Sequence, residues 1–260
     1  MRGTVMKFAN QLLGIIVIGV VLVTAGCAGK PQLPAVGEKV ALKQTTQYIP
    51  KKTLEDGVEL AYEAEENPYL STRSKVNKGS VLLFIEAKKA KRKGKLSVAK
   101  QKLTVITKND DSLSGPWAML GDIAIDEKDY KKAESHYQKA IEINDQNVNA
   151  YTALAKAQRL LGEFHVAQNT LAAALELWPD FPEAHLNLGI LYDVYLNRPK
   201  LAQMHIEAYL YLTEYKNKQA VAWFDEIKSR TGIRASFILD KSLEPVEKIA
   251  VKATQTQDSK

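Results

Sequence analysis

The sequence predicts an all-α protein built from helix hairpins stacked in series. Alanines recur along its 260 residues at spacings of 34, 34 and 35, and four positions after each alanine stands a large apolar residue. A period in this range is typical of architectures in which each helix pair buries its apolar face against the next pair. The two sets are Ala99, Ala133, Ala167 and Ala202, and Leu103, Tyr137, Leu171 and Ile206.

The composition is that of an ordinary folded protein. Hydrophobic residues make up 45% of the chain and charged residues 25%, and the 14 Gly and 9 Pro exclude a collagen-like or low-complexity sequence. One cysteine cannot form a disulfide framework within the chain, nor a multi-thiolate metal site. Composition therefore leaves the repeat as the main source of information.

The first 26 residues predict a secretory signal peptide. Arg2 and Lys7 form a basic start, and an apolar run follows over residues 12–23. The run is shorter than the ~20 apolar residues that a membrane-spanning helix needs. It ends in the small residues Ala25 and Gly26, directly before Cys27.

This ending resembles the lipobox of bacterial lipoproteins, although Thr24 stands where Leu is commonest. The resemblance implies that the signal is cut before Cys27 and that Cys27 is acylated, with palmitate among its chains. Buried acyl chains contribute ~0.8 kcal/mol per CH₂, enough for stable anchoring when there are several. Ala28, in place of Asp, implies the outer membrane, with the protein facing the periplasm. The alternative is an uncleaved signal anchor ending in a free thiol.

The positive charge is local. The whole chain has a net charge of +6, and the chain after residue 26 keeps 34 basic against 30 acidic residues. Residues 72–100 hold ten of those basic residues against Glu86 alone, so the rest of the mature chain is net acidic. This distribution gives no reason to expect a nucleic-acid partner.

Three consecutive units share residue types at matching positions. Small residues are expected where two helix axes approach closely, large residues fill the groove between pairs, and Pro179 ends its unit because proline cannot continue a helix. The third unit has a one-residue insertion near Asn197. The first unit has Trp117, Leu120, Gly121, Ala133, Tyr137 and Ala140; the second has Tyr151, Leu154, Ala155, Gly162, Phe164, Ala167, Leu171 and Ala174; the third has His185, Leu188, Gly189, Tyr192, Ala202 and Ile206.

These positions resemble the tetratricopeptide repeat (TPR) signature. The resemblance implies a TPR α-solenoid of three clear helix-hairpin repeats and one degenerate repeat over residues 80–113, where Glu86 replaces the usual Leu. Residues 219–230 predict a C-terminal capping helix that stops at Gly232. Residues 54–66 are interpreted as an acidic helix.

The chain divides into five predicted segments. Residues 28–50 and 240–260 lack periodicity and are interpreted as flexible. The segments are a signal peptide (1–26), the lipidated Cys and a flexible tether (27–52), an N-terminal acidic helix and linker (53–79), the TPR domain with its capping helix (80–232), and a flexible tail (233–260).

The sequence shows no pattern typical of catalysis. It has no phosphate-binding glycine loop, nucleophile elbow or recognisable carboxylate pair, and its four histidines lack the spacing of a metal site. His136, His165, His185 and His205 are interpreted as surface or partly buried side chains. We expect no catalytic residue, metal or cofactor.

The TPR resemblance implies a concave groove lined by the first helix of each pair. Such a mixture of apolar and charged groups could hold an extended peptide or a partner helix; the alternative is a set of solvated helix faces. By register, the groove residues are Asp122, Ile125, Asp126, Thr152, Lys156, Arg159, Leu186, Ile190 and Asp193.

A basic run falls at the predicted turn between the helices of the degenerate unit. It is a solvated turn, a contact for anionic lipid headgroups, or a contact for an acidic partner. Its residues are Lys88, Lys89, Lys91, Arg92, Lys93 and Lys95.

The favoured hypothesis is a non-catalytic, lipid-anchored periplasmic adaptor that binds protein partners for a cell-envelope assembly. Resemblance to TPR lipoproteins suggests pilus or secretin assembly, outer-membrane protein assembly, or recruitment of cell-wall hydrolases. The segment 184–192 also resembles TPR proteins that accompany TonB-type energy-transduction systems. The competing hypothesis is a structural envelope lipoprotein that associates with itself, and the sequence leaves the oligomeric state open.

Overall fold

The structure is a computed structural model that describes residues 41–55, 58–71 and 76–239. The signal peptide, Cys27, the first part of the tether and residues 240–260 lie outside the described residues. Within the described part, the fold is a series of antiparallel helix pairs with one short β-hairpin near its start, so the predicted all-α solenoid of helix hairpins is confirmed.

Helices α2 and α3 form the degenerate pair, α4 to α9 form the three clear pairs, and α10 closes the series. The elements are β1 (Leu54–Glu55), β2 (Val58–Glu59), α1 (Pro68–Ser71), α2 (Lys78–Arg92), α3 (Leu96–Asn109), α4 (Ser114–Asp126), α5 (Tyr130–Ile143), α6 (Val148–Leu160), α7 (Phe164–Leu177), α8 (Pro182–Ile190), α9 (Pro199–Leu212) and α10 (Lys218–Thr231).

Small residues set the close approach of the paired helices. A Cβ atom at Gly121 on α4 would lie 2.6 Å from Cε1 of Tyr137 on α5, and one at Gly189 on α8 would overlap Cδ1 of Ile206 on α9. Ala155 plays the same part in the middle pair and is buried. The small residues of the repeat are therefore needed for helix packing, as the sequence predicts.

The third unit accommodates its inserted residue at the end of α8, about one turn before Asn197, where the sequence suggests the insertion. Helix α8 continues into a π-helical turn over Leu191–Tyr195. A π turn closes i→i+5 hydrogen bonds and so holds one residue more than an α turn. The backbone of Asn197 then takes a positive φ of 48° before α9 begins.

Helix α10 ends the solenoid as predicted. The side chain of Asn217 caps its first turn by accepting hydrogen bonds from the backbone N–H groups of Gln219 and Ala220. Phe224 and Ile227 are buried against α9, and Gly232 stops the helix in the left-handed region with a φ of 68°.

The predicted acidic helix over residues 54–66 is wrong. Strands β1 and β2 pair antiparallel, with Leu54 opposite Glu59 and Glu55 opposite Val58, and residues 60–66 have no regular structure. The two residues between the strands are Asp56 and Gly57, a dipeptide that strongly favours two-residue hairpins. The acidic composition favoured a helix, whereas residues 54–55 and 58–59 form a pair of strands.

The prediction of a flexible tether is wrong for residues 41–52. This N-terminal arm crosses α7 and α9. The amide of Asn169 donates to the carbonyl of Ala41 and accepts from the N–H of Lys43, each over 2.9 Å, and Gln168 donates to the carbonyl of Lys43. Ile49 is buried. Amide side chains on α7 thus satisfy the backbone of a segment that has no periodicity of its own.

The predicted flexible tail is also wrong over its first part. Ile238 is buried against Ile49 and Ala208, and its carbonyl accepts a 2.6 Å hydrogen bond from the N–H of Lys52. Residues 233–239 therefore pack together with the N-terminal arm.

The chain beyond the hairpin is held at the turn between α7 and α8. The buried carboxylate of Asp180 accepts hydrogen bonds from the hydroxyl of Tyr62 (2.6 Å) and the N–H of Glu65 (2.8 Å). The indole of Trp178 donates to the carbonyl of Glu65 over 2.7 Å. Burial of the ring, together with the bond to Asp180, raises the pKa of the Tyr62 hydroxyl.

Candidate partner-binding groove

The first helices of the clear pairs form the inner face of the solenoid. Helix α4 contacts α6, and α6 contacts α8, in addition to the contacts that each makes with its own partner helix. Helices that approach their equivalents in the next repeat lie on the closely spaced side of the curve, which is the concave side. We call this surface the inner groove.

All nine predicted groove residues lie on these helices or on the π turn that extends α8. Asp126 and Lys156 are exposed. The others are half-buried: Asp122, Ile125, Thr152, Arg159, Leu186, Ile190 and Asp193.

The acidic residues of the inner groove already have partners. Asp122 accepts a 2.8 Å hydrogen bond from the hydroxyl of Tyr137, which adds to burial in raising the pKa of that phenol. The carboxylate of Asp126 lies 3.1 Å from Nζ of Lys91 on α2. Asp122 therefore joins α4 to α5, and Asp126 forms a partly exposed ion pair with α2.

Both carboxylate oxygens of Asp193 have hydrogen-bond donors on another helix. Its side chain is only 8% exposed, and its two oxygens accept hydrogen bonds from Nε1 of Trp223 (2.9 Å) and Nη2 of Arg230 (2.7 Å), both on α10. Asp193 therefore joins the last clear repeat to the capping helix, and the prediction that it serves a partner is not supported by this geometry.

The basic groove residues differ from each other. Arg159 donates a 2.7 Å hydrogen bond to the hydroxyl of Tyr195 and lies over its ring. Lys156 is exposed and has no partner among the described residues. Among the nine predicted residues, Lys156 is therefore the charged side chain that has no partner within the described part of the chain.

An apolar edge lies beside the inner groove, and its residues were not among the nine that the sequence predicted. Leu160 is exposed at the carboxyl end of α6. Val194 and Tyr195 are exposed on the π turn that follows α8, and Val194 is 63% exposed. Leu160 and Val194 follow the predicted residues Arg159 and Asp193 directly and occupy the repeat position of Asp126. Repeat register was therefore the signal that could have found them.

The basic run lies where the sequence places it. Helix α2 ends at Arg92, Gly94 takes a φ of 71° and α3 begins at Leu96. Of the six predicted residues only Lys91 is half-buried, in its ion pair with Asp126; the others are exposed at the end of α2 and in the turn. Cations near the carboxyl end of a helix are also stabilised by its dipole.

Two histidines form a buried pair, so the interpretation of all four as surface or partly buried is wrong for His185 and His205. Their Nδ1 atoms lie 2.9 Å apart and both side chains have no exposure. His136 is half-buried and His165 exposed, as predicted.

The donor and the acceptor in the hydrogen bond between the two histidines can be assigned from the groups that flank the pair. Nε2 of His185 lies 2.9 Å from the carbonyl of Pro179, which can only accept, so neutral His185 must accept at Nδ1 from Nδ1–H of His205. His205 then accepts at Nε2 from the hydroxyl of Thr45 over 2.8 Å, and Thr45 accepts from Tyr192. Five groups therefore form one directed chain that joins the N-terminal arm to α8 and α9.

Burial lowers the pKa of both imidazoles. The pKa of His185 is lowered to about 4, although its bond to Pro179 and the nearby Asp180 oppose the shift. The pKa of His205 is lowered well below 6.5 by burial and by His185. Both rings are therefore neutral at pH 7.

Within residues 41–55, 58–71 and 76–239, no group of three or more His, Cys, Asp or Glu side chains is placed to hold a metal ion. In the same ranges, no helix has the length and apolar character needed to cross a bilayer.

The family described as tetratricopeptide repeat matches residues 115–147 and 148–191. The chain contains TPR repeats. These matches correspond to α4–α5 and α6–α8, the helices that build most of the inner groove. No curated protein matches the chain.

Solved structures share this fold at low sequence identity. The Cut9–Hcn1 tetramer of the APC/C matches with a TM-score of 0.50 and 17% identity over 57% of this chain, which spans only 29% of that one. MamA matches with 0.51 and 19% over 61% of this chain and 86% of its own. Pseudomonas aeruginosa pilF matches with 0.54 and 18% over 59% of this chain and 69% of its own.

Proposed function

We propose that this protein is a non-catalytic adaptor, anchored through lipid on Cys27 at the outer membrane and facing the periplasm, which binds a protein partner in its inner groove. The assembly it serves is one of the cell envelope: a pilus or secretin, outer-membrane protein assembly, hydrolase recruitment, or a TonB-type energy-transduction system. The TPR repeats support the general role of a scaffold for protein–protein interaction.

One observation carries the groove proposal. The three carboxylates among the predicted groove residues are engaged by Tyr137, Lys91 and Arg230, whereas the ammonium group of Lys156 is exposed and unpartnered among the described residues. The exposed side chains of Leu160 and Val194 lie at the edge of the same face. A partner segment with an acidic residue beside an apolar one fits this arrangement, because a charge-assisted contact would add to apolar burial.

Reversing the charge of Lys156 should weaken partner capture. We expect full-length Lys156→Glu to recover about ten-fold less of its partner from solubilised envelopes than the unmodified chain, since a lost and reversed contact of ~1.4 kcal/mol corresponds to a factor of ten. Lys132→Glu, an exposed site on α5, is the matched control and should capture normally. Equal capture by both variants would contradict a role for the inner groove.

Light scattering of the full-length protein separates the adaptor from the self-associating lipoprotein. The adaptor predicts a monomer with an accessible inner groove. A dimer that persists on dilution and protects Lys156 from amine modification would instead favour the structural role.

Anchoring through Cys27 makes its own prediction. We expect the Cys27→Ser chain, once its signal peptide has been removed, to leave the membrane fraction, because it then lacks the acyl chains that would anchor it. Fractionation of cells followed by mass measurement of the mature chain tests this. A variant that is processed and still sediments with membranes would rule out the lipid as the anchor.

A further inference from the structure

We propose that the exposed face of α2, together with the α2–α3 turn, docks on an anionic lipid bilayer. This surface is distinct from the inner groove residues on α4, α6 and α8, and the inference does not depend on acylation of Cys27. Of the alternatives given for the basic run, a solvated turn, anionic lipid headgroups or an acidic partner, we propose the lipid headgroups.

One exposed stripe of α2 is apolar in its first half and basic in its second. Its residues recur at intervals of three and four, which places them on one helix face, and every one of them is exposed. The stripe contains no acidic residue. Its members are Lys78, Val81, Leu82, Ile85, Lys88, Lys89 and Arg92.

The apolar half of the stripe is uncovered because α2 begins the stack. The positions equivalent to Leu82 in the three following repeats are Pro116, Ala150 and Ala184, and all three are buried. Leu82 is instead 62% exposed. A large apolar side chain therefore stands outside at a position where the other repeats have a smaller, buried residue.

Helix α3 extends the same surface. Val98 and Val105 are exposed on it, and Lys102 between them forms an ion pair with Glu86 of α2, which lowers the pKa of that carboxyl. Glu86 is the acidic residue nearest to the stripe in sequence, and the ion pair compensates its charge. The surface thus stays cationic.

An open apolar cleft of about 470 Å³ adjoins the stripe. Val81 and Ile85 belong to both, and Phe84, Leu113 and Pro116 are among the other apolar residues that line it. Apolar side chains that surround a cleft at the end of a cationic face can enter the boundary between headgroups and acyl chains.

A flat anionic bilayer satisfies both halves of this surface at once. Lysine and arginine near a negatively charged leaflet gain ~1 kcal/mol each, while Leu82 and Ile85 would leave water for the interfacial layer. The basic residues that follow, Lys93 and Lys95, lie in the exposed turn beside Arg92 and enlarge the positive area.

A fluorescent probe at position 82 tests this docking. The full chain carries Cys27→Ser and Leu82→Cys, so that a polarity-sensitive NBD dye marks only the stripe. Vesicles contain either phosphatidylcholine alone or phosphatidylcholine with about 30% phosphatidylglycerol, which supplies the anionic surface. We expect at least a two-fold rise in NBD emission with the anionic vesicles, quenching by spin-labelled lipid, and no comparable change with the neutral ones.

Three controls make the result decisive. The dye at Ala222→Cys, exposed on α10, should remain in water. Lys88→Gln/Lys89→Gln/Arg92→Gln should abolish the response at position 82, whereas Lys132→Gln/Lys200→Gln/Lys218→Gln, with the same net charge, should keep it. The proposal is overturned if the position-82 dye stays in water with anionic vesicles, if positions 82 and 222 respond alike, or if both charge variants behave the same; the first result would favour an acidic protein partner for the basic run.

Discussion

Lowering the pH from 7 to 5 should reduce the free energy of unfolding by about 2 kcal/mol for each buried histidine, or about 4 kcal/mol for the pair. His185 and His205 have folded-state pKa values below 6.5. As the pH falls from about 6.5, the unfolded chain takes up protons that the folded chain cannot, so stability falls progressively towards pH 4. Denaturant unfolding at each pH measures the loss.

The loss should be accompanied by loosening of the N-terminal arm. His185 and His205 can take up protons at pH 5 only when the pair opens to water, and opening breaks the hydrogen bond between His205 and Thr45 of the arm. Hydrogen exchange of residues 41–52 should therefore accelerate before that of α4 and α5. Neither measurement requires a substituted protein.

Imidazole NMR signals provide the control for this prediction. His185 and His205 should stay neutral in the folded chain at pH 5, because burial lowers the pKa of both imidazoles. The double variant His185→Gln/His205→Gln should have a flatter dependence of stability on pH between 6.5 and 4. A pair that titrates in the folded chain near the ordinary histidine pKa of about 6.5 would refute the assignment of the directed chain.

Alanine at Gly121 or Gly189 should destabilise the solenoid by about 1–3 kcal/mol. A Cβ at Gly121 meets the ring of Tyr137, which is held by its hydrogen bond to Asp122, so this site should show the larger loss. At Gly189 the obstructing atoms belong to the side chain of Ile206, whose end can rotate away at a smaller cost. Thermal or denaturant unfolding measures both losses.

Gly115→Ala is the matched control on the same helix as Gly121. A Cβ there would have no neighbour closer than 3.8 Å, the Cζ atom of Phe84. Because alanine is favoured over glycine in helices by up to ~1 kcal/mol, Gly115→Ala should be neutral or slightly stabilising. Equal losses at Gly115 and Gly121 would mean that close helix approach is not what the repeat glycines provide.

The repeat was predictable because its residue types recur for a local physical reason. Gly121, Ala155 and Gly189 lie where paired helices approach each other. Their spacing, together with the recurring alanines and large apolar residues, predicted the hairpins. The same register places His136, Thr170 and His205 at equivalent positions, and Thr170 is fully buried. The register also aligns His185 with Trp117 and with fully buried Tyr151, so it gave a signal for burial of both histidines but none for their contact with each other.

The N-terminal arm could not be predicted in the same way. Residues 41–52 have no periodicity, and they are held by Asn169, Gln168 and His205, more than a hundred residues away in sequence. The hydrogen bonds and ion pairs of the groove residues could not be predicted from the sequence either. The register identified Asp193 as a groove position, but its engagement by Arg230 depends on how α10 packs beside the last repeat.

Photo-crosslinking from inside and outside the solenoid tests the central claim most directly. A photoreactive amino acid replaces either Thr152, in the inner groove, or Ser135, exposed on α5, in the full-length protein within living cells. We expect a discrete, partner-sized adduct from position 152 and none from position 135. Adducts that form equally from both positions, or only from position 135, would contradict the proposal that the inner groove is the surface this protein presents to its partner.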